Sequence, residues 1–328
     1  MRDLYARLKD KGFDRAFIRD AVLPEWWEDE LAAVPANRAL AETYIARGLG
    51  FQLAELHDPQ TELSLRLPSK PSFKRYKNQV DDRVLATALI AQRAAGLLAD
   101  LLEALPAYRG ELDAGTARRA ILSRHRFVNL RSLIELCWEN GIIVFRLRRV
   151  PRAGKTFDGM AAFYGQRPVI VLGSIREAPA WIAFHLAHEL AHILLGHVFP
   201  GSPPLTDSSL ENTRVTNDSQ EQQADRAACE ILTGFEQPTI PLRKWNAEQL
   251  ARQAEMAGPA QGVDPGVFAL IYAKSNDRWP AGQGALKRLG EDQGAANLVA
   301  EPLQSRLEGL DATEPTSRFL GAVTGVTI

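Results

Sequence analysis

Histidines are concentrated in one short stretch of this chain, and their spacing is that of a metal site. Four of the six histidines lie between positions 185 and 197, and residues 188–192 read His-Glu-Leu-Ala-His. On an α-helix, residues four apart project from the same face, so His188 and His192 can direct two imidazoles at one ion. Glu189 would lie beside that face, where a carboxylate can accept a proton from metal-activated water. The pattern is typical of a zinc hydrolase, although three fixed letters also arise by chance in unrelated helices.

The residues on either side of these histidines are typical of the two ends of a helix. Pro179 suits a first helical turn and Gly196 suits the position after the last turn, so residues 178–195 are predicted to form one helix. The helix is apolar on nearly all sides, which predicts that it is buried. Buried histidine and glutamate side chains need polar partners, and a divalent ion would supply one.

A catalytic zinc ion usually takes three protein ligands and leaves one position for water, so a third donor is needed. His197 is a weak candidate, because on a straight helix it would lie about 180° from His188. Glu221 is a better candidate: it lies in a predicted helix over residues 219–233. Asp225 follows one turn later on the same face, where it could accept the second N–H of a ligating histidine. The alternative is a solvated helix with its acids in water, but small residues along this face favour close helix packing.

Two further side chains are candidates for the cleft. His185 precedes His188 by one helical turn, so it could line the cleft, polarise a substrate carbonyl or be a satisfied pocket histidine, and we favour the last. Amide hydrolysis also needs a donor to the developing oxyanion. His185 and Tyr164 are candidates for that role, and the sequence does not choose between them.

These motifs resemble those of the ImmA/IrrE family of zinc metallopeptidases. The resemblance rests on residues 184–192 (Phe-His-Leu-Ala-His-Glu-Leu-Ala-His), 194–197 (Leu-Leu-Gly-His) and 221–232 (Glu-Gln-Gln-Ala-Asp-Arg-Ala-Ala-Cys-Glu-Ile-Leu). The predicted elements follow the family's order, with a helix over 129–140, a strand over 142–147, a strand pair over 158–164 and 168–172, and then the histidine helix. The similar part spans about residues 125–235, roughly a third of the chain.

The resemblance implies an α+β, mostly helical fold with a zincin-like metallopeptidase core: a helix, a small antiparallel β-sheet, the active-site helix and the ligand helix. It implies that His188, His192 and Glu221 bind Zn²⁺ and that Glu189 is the general base. The family contains proteases that cleave helix-turn-helix repressors and so induce genes, in mobile elements or stress responses. A repressor of that kind is therefore the expected substrate. His185 is a departure, because that position is usually a small hydroxyl residue in the family.

Length and composition indicate an ordinary globular protein of two or three domains. The chain has 328 residues, 45% of them hydrophobic, and a formal net charge of −1. We expect a helical N-terminal domain over 1–112, a metallopeptidase domain over 113–240, and a helical C-terminal region over 241–328 that ends in a loose tail. Within the first domain, a weak helix-turn-helix pattern spans 31–56, although short helices broken by glycine are the commoner interpretation.

The chain carries no evident secretory signal or membrane span. Its first residues lack the apolar stretch of a signal peptide. The longest apolar run, 84–105, is interrupted by polar side chains and is predicted to be a buried helix. Cys137 and Cys229 fall inside predicted helices, which is typical of buried thiols in a reducing compartment. We therefore expect a cytoplasmic protein.

Basic residues dominate 118–155, where ten lysines and arginines face only two acids. Such a flank could attract nucleic acid or an acidic partner. Some of these residues alternate along a predicted strand and would only form its solvent-exposed face. DNA contact through this segment or through the N-terminal domain is therefore the less favoured interpretation.

Three hypotheses about function follow from these patterns, and the sequence does not separate the third, an antitoxin-like partner of a toxin, from the second. The first is a zinc-dependent endopeptidase that cleaves a helix-turn-helix repressor or a similar regulatory partner. The second is a regulatory protein that binds DNA or a repressor and keeps a structural or vestigial zinc site. A set of three protein donors with an open position favours the enzyme, whereas a closed set of four favours the structural role.

Overall fold

A computed structural model describes residues 1–67, 72–73, 82–151, 157–207, 219–238 and 244–328, and within them fourteen α-helices surround a small mixed sheet. The helices are α1 (Arg2–Asp10), α2 (Arg15–Ala21), α3 (Pro35–Leu49), α4 (Leu53–His57), α5 (Asp82–Leu101), α6 (Ala114–Leu122), α7 (Leu130–Glu139), α8 (Pro179–Leu194), α9 (Ser219–Thr233), α10 (Ala247–Ala260), α11 (Pro265–Asn276), α12 (Trp279–Leu289), α13 (Ala295–Leu307) and α14 (Glu314–Thr324). The strands are β1 (Ser72–Phe73), β2 (Ile143–Arg146), β3 (Gly159–Tyr164), β4 (Arg167–Leu172) and β5 (Leu205–Asp207). The predicted α+β, mostly helical class is confirmed.

The sheet is built around the hairpin of β3 and β4, which pair antiparallel through a turn at Gly165 with φ of 60°. The strand order is β1-β5-β3-β4-β2. The prediction of an antiparallel sheet was wrong, because β2 runs parallel to β4 and β1 runs parallel to β5. The chain passes from β2 to β3 and returns between them as β4, so β4 opposes β3 and takes the direction of β2.

Helices cover both faces of the hairpin. Successive side chains of a strand point to opposite faces, so Gly159 and Tyr164 of β3 face different sides. A Cβ on Gly159 would meet Glu189 of α8, whereas the ring of Tyr164 lies against Gly96 of α5. The histidine helix and α5 are therefore separated by the sheet. Within α5, residues 83–101 are long and apolar enough to span a membrane, but 67% of an 18-residue apolar stretch of this helix is buried inside the fold, as in a core helix.

The helix ends follow local signals in the sequence. Asn129 and Ser132 form a reciprocal capping box at the start of α7, and Asp264 caps α11 ahead of Pro265. Such caps satisfy backbone N–H groups that have no partner inside the helix. The cap at Asn129 explains why α7 begins within one residue of where the sequence predicts.

The C-terminal tail, predicted to be loose, forms two helices, α13 and α14. In α13 the buried residues recur every four positions, which gives one apolar stripe in an otherwise polar segment. These residues are Ala295, Val299, Leu303 and Leu307. They join a contiguous apolar core that includes side chains from all three predicted domains. The proposed boundaries at 112 and 240 stay predictions, and packing crosses both of them.

Candidate metal centre

Two buried histidines of α8 point one ring nitrogen each at a common spot. His188 is 2% exposed and His192 is fully buried. Their Nε2 atoms are 3.1 Å apart, and the rings meet at an interplanar angle of 74°. One turn of helix separates the two residues, so the spacing read from the sequence places both imidazoles as predicted.

Glu221 of α9 completes a triangle of donor atoms with these histidines. Its Oε2 atom lies 3.4 Å from His188 Nε2, its Oε1 atom lies 3.5 Å from His192 Nε2, and the side chain is 1% exposed. Ligands ~2.0–2.2 Å from a tetrahedral ion such as zinc lie about 3.3 Å from one another. The two imidazole nitrogens are 3.1 Å apart, and each lies 3.4 or 3.5 Å from one oxygen of the Glu221 carboxyl group, which is close to that value. These three residues can therefore hold a divalent metal ion, and in the described ranges the donor group contains no fourth member.

Small side chains let the two ligand helices approach each other. Ala191 of α8 packs with Ala224 and Ala227 of α9 in a separate buried cluster beside the donors. A larger residue at any of these positions would push the helices apart and widen the triangle of donor atoms. The small residues noted in the sequence thus have a direct geometrical role.

Each histidine also has a hydrogen-bonding partner at Nδ1, its other ring nitrogen. Asp225 Oδ1 lies 3.0 Å from His188 Nδ1, and Asp225 Oδ2 accepts from Lys274 Nζ of α11 at 3.4 Å. His192 Nδ1 lies 2.9 Å from Nδ1 of His197. Partners of this kind set the tautomer and orientation of a ligating imidazole. With Nδ1 engaged outward, Nε2 of both rings is left to face Glu221.

Glu189 follows His188 on α8 and is not part of the donor group. It is 1% exposed, and its carboxyl group rests directly on the backbone of β3 at Gly159. A Cβ at position 159 would be 2.2 Å from Glu189 Oε1 and 2.6 Å from Cδ. Only glycine accommodates the carboxylate in this place. Gly159 is a site residue that the sequence analysis missed, because the only signal was a glycine at the start of a predicted strand.

The two remaining cleft candidates lie in different surroundings. His185 is 4% exposed, and its ring stacks on Trp181 with centroids 6.4 Å apart. It lies one turn from His188 on α8, outside the donor group. Tyr164 is not brought to the donors, because its ring packs on α5 across the sheet. Burial raises the pKa of the Tyr164 hydroxyl, and we assign it no part in the site.

Several members of the basic segment 118–155 are engaged within the molecule. Arg118 is buried and donates to four backbone carbonyls. Ion pairs join Arg124 to Glu139, Arg146 to Glu177 and Arg149 to Asp20. Arg152 and Lys155 lie outside the described residues, as do Lys70, Lys74, Arg75 and Lys77 of the N-terminal region. The weak helix-turn-helix pattern corresponds to α3 and the five-residue α4.

Comparison with known proteins gives no family for this chain, so a proposal about its function depends on the site. No protein-family model matches the chain, and no curated protein is significantly similar to it.

Proposed function

We propose that this chain is a zinc-dependent endopeptidase with a zincin-like core. The proposal depends on one observation: two buried imidazoles and one buried carboxylate offer ligand atoms within 4.8 Å of one another, and a second buried carboxylate, that of Glu189, belongs to the residue that follows His188. Two histidines and a glutamate are the protein ligands of catalytic zinc in several peptidases, where the fourth position is left for water. A structural zinc site is instead closed by four protein ligands. The donor set therefore favours catalysis over a structural role.

The residues of this chain divide the work of amide hydrolysis between them. A zinc ion held by His188, His192 and Glu221 would supply Lewis acidity toward water and toward a peptide carbonyl. Glu189 provides the carboxylate that accepts the proton of the attacking water and then delivers it to the leaving amine. Gly159 leaves room for that carboxylate against β3, because glycine has no Cβ to collide with it. Asp225 and Lys274 hold the His188 ring in register.

We further propose that the peptidase is of the ImmA/IrrE type and acts in the cytoplasm on a helix-turn-helix repressor. The support is the resemblance of residues 184–197 and 221–232 to that family's motifs. The order of α7, β2, the β3–β4 hairpin, α8 and α9 also follows the family's order. Substrate class comes from this resemblance alone.

The test is Glu189→Gln, which preserves the size of the side chain and removes its basicity. We expect wild type and Glu189→Gln to bind one equivalent of zinc by elemental analysis, while Glu221→Ala loses it. Wild type should cleave one member of a panel of purified helix-turn-helix repressors from the source genome, and a chelator should stop it. Glu248→Gln, on the exposed side of α10, is the matched control and should cleave as wild type does.

Different outcomes would point to different errors. Cleavage by Glu189→Gln at the wild-type rate would refute the assigned base. Zinc binding in the absence of cleavage of any panel member would refute the repressor as substrate. If X-ray absorption spectroscopy of the zinc form showed four protein ligands around the ion, the structural alternative would be supported.

A further inference from the structure

The two ligating histidines are backed by chemically different partners. His188 contacts a carboxylate, Asp225, which is itself anchored by a lysine. His192 contacts a second imidazole, that of His197. His197 in turn places its Nε2 atom 3.0 Å from Oε1 of Gln223, on the exposed side of α9. The chain His192–His197–Gln223 therefore runs from the buried donor group to the surface.

Hydrogen-bond chemistry allows one arrangement of protons along this chain when His192 acts as a ligand. Its Nε2 must carry a lone pair toward the metal, so its hydrogen lies on Nδ1. His197 Nδ1 must then accept that hydrogen, and the hydrogen of His197 lies on Nε2. The acceptor there is the amide oxygen of Gln223. Every N–H in the chain then has an acceptor, which is the arrangement that fixes one tautomer.

The end of α8 explains how His197 reaches this position. Gly196 adopts φ of 68°, His197 N donates to His192 O at 2.9 Å, and Gly196 N donates to Ile193 O at 3.1 Å. This pair of bonds is a Schellman motif, in which a left-handed glycine reverses the chain. The projection on a straight helix, which placed His197 on the far side from His188, fails because the helix ends before it. The turn brings the two imidazoles into contact, with ring centroids 5.1 Å apart.

We propose that His197 is a positioning residue that holds His192 in its metal-binding tautomer and orientation, with Gln223 holding His197. The proposal rests on the metal site proposed above. Loss of an outer partner of a ligating histidine costs about 10–100-fold in metal affinity. His197 should therefore contribute to zinc affinity without being a ligand. Its contribution requires an acceptor at the place of Nδ1, whatever group supplies it.

The test compares replacements that keep or remove that acceptor. The amide oxygen of His197→Asn can occupy the place of Nδ1, whereas His197→Phe keeps the ring and removes the acceptor, and His197→Ala removes both. We expect the zinc dissociation constant, measured by chelator competition, to rise about 10–100-fold in His197→Phe and His197→Ala. His197→Asn should stay within about threefold of wild type, since it restores the contact that these partners provide. The absorption bands of the Co²⁺ form should shift in the first two variants and not in His197→Asn.

Unfolding curves of the metal-free variants show which of them are folded. If His197→Ala is unfolded, the comparison of His197→Asn with His197→Phe still tests the proposal. Equal zinc affinity in His197→Phe and wild type would overturn the positioning role, as would His197→Asn binding as weakly as His197→Phe. If wild type itself binds no zinc, the proposed function fails instead. The two failures are thus distinguishable without any measurement of proteolysis.

Discussion

Gly159→Ala tests the most confined contact of the site. The added Cβ would lie 2.2 Å from Oε1 of Glu189 and 2.6 Å from both Cδ and Cγ. Unbonded heavy atoms need about 3.5 Å between carbons, so one side must move by roughly 1 Å. Gly159 pairs with Leu172 on one side and Asp207 on the other, which holds the strand in place. The Glu189 side chain must therefore give way.

The expected magnitude follows from this overlap. Overfilling a packed interior costs ~1–3 kcal/mol, partly offset by up to about 1 kcal/mol because alanine loses less backbone entropy than glycine on folding. We expect the free energy of unfolding in urea to fall by about 1–2 kcal/mol in Gly159→Ala. Gly96→Ala, across the sheet, is the matched control. Its Cβ would meet the Tyr164 ring at 3.4 Å, an ordinary contact, so stability should hold or rise.

A double-mutant cycle identifies Glu189 as the side chain that is displaced. In Glu189→Ala the carboxyl group is gone, so adding Gly159→Ala should cost nothing further. We expect a coupling energy of about 1–2 kcal/mol between the two positions. A misplacement of about 1 Å at a reacting group costs on the order of 100-fold in rate, so Gly159→Ala should also bind zinc normally and cleave poorly. Additive effects in the cycle would refute the argument that position 159 sets the place of the base.

Two further predictions concern the helices around the site. Arg118→Met removes the donor to four carbonyls at the ends of α9 and α10, and should lower the free energy of unfolding by about 3 kcal/mol, whereas Arg252→Met on the surface should change it by less than about 0.5 kcal/mol. Burial, and after it the neighbouring Asp264 carboxylate, raises the pKa of Glu291 from 4.5 to about 8. A raised pKa means that the folded state holds the proton more tightly, so stability is full below pH 4.5 and falls as the pH rises to 8. Urea midpoints at a series of pH values should show this fall in wild type and a flatter profile in Glu291→Gln, and equal slopes would contradict it.

Elements with strong local signals could be predicted from the sequence. The range of α9 coincides with the predicted one, and α8, β3 and β4 differ from prediction by about one residue. Proline and glycine mark the ends of these elements, and their apolar residues repeat with the period of a helix or strand. The tail could not be assigned in this way. The buried stripe of α13 consists of single apolar residues four apart, which gain meaning only when β2 and α7 pack on them.

The residues of the site also divide into those that the sequence predicts and those that it does not. His188, His192 and Glu221 could be chosen because each is set by the periodicity of its own helix. Gly159 and His197 could not, because their roles depend on events between elements. Gly159 matters because α8 approaches the sheet closely, and His197 matters because a turn folds it back beside His192. Sequence periodicity describes one helix at a time. It does not give the distance from Glu189 to Gly159 or from His192 to His197.

The candidate metal centre also depends on helices that follow residue 240. Lys274 of α11 reaches Asp225 at 3.4 Å and lies 4.5 Å from the ring centre of Phe184 on α8. Trp279 of α12 stacks on Trp181 of the same helix, with centroids 5.2 Å apart. A charge that orients the partner of His188 and an aromatic stack that fixes α8 thus both come from residues after 240. Because ligand geometry tolerates displacements of only a fraction of an ångström, these contacts make the C-terminal helices part of the same cooperative unit as the donors, even though no residue in them touches the metal position.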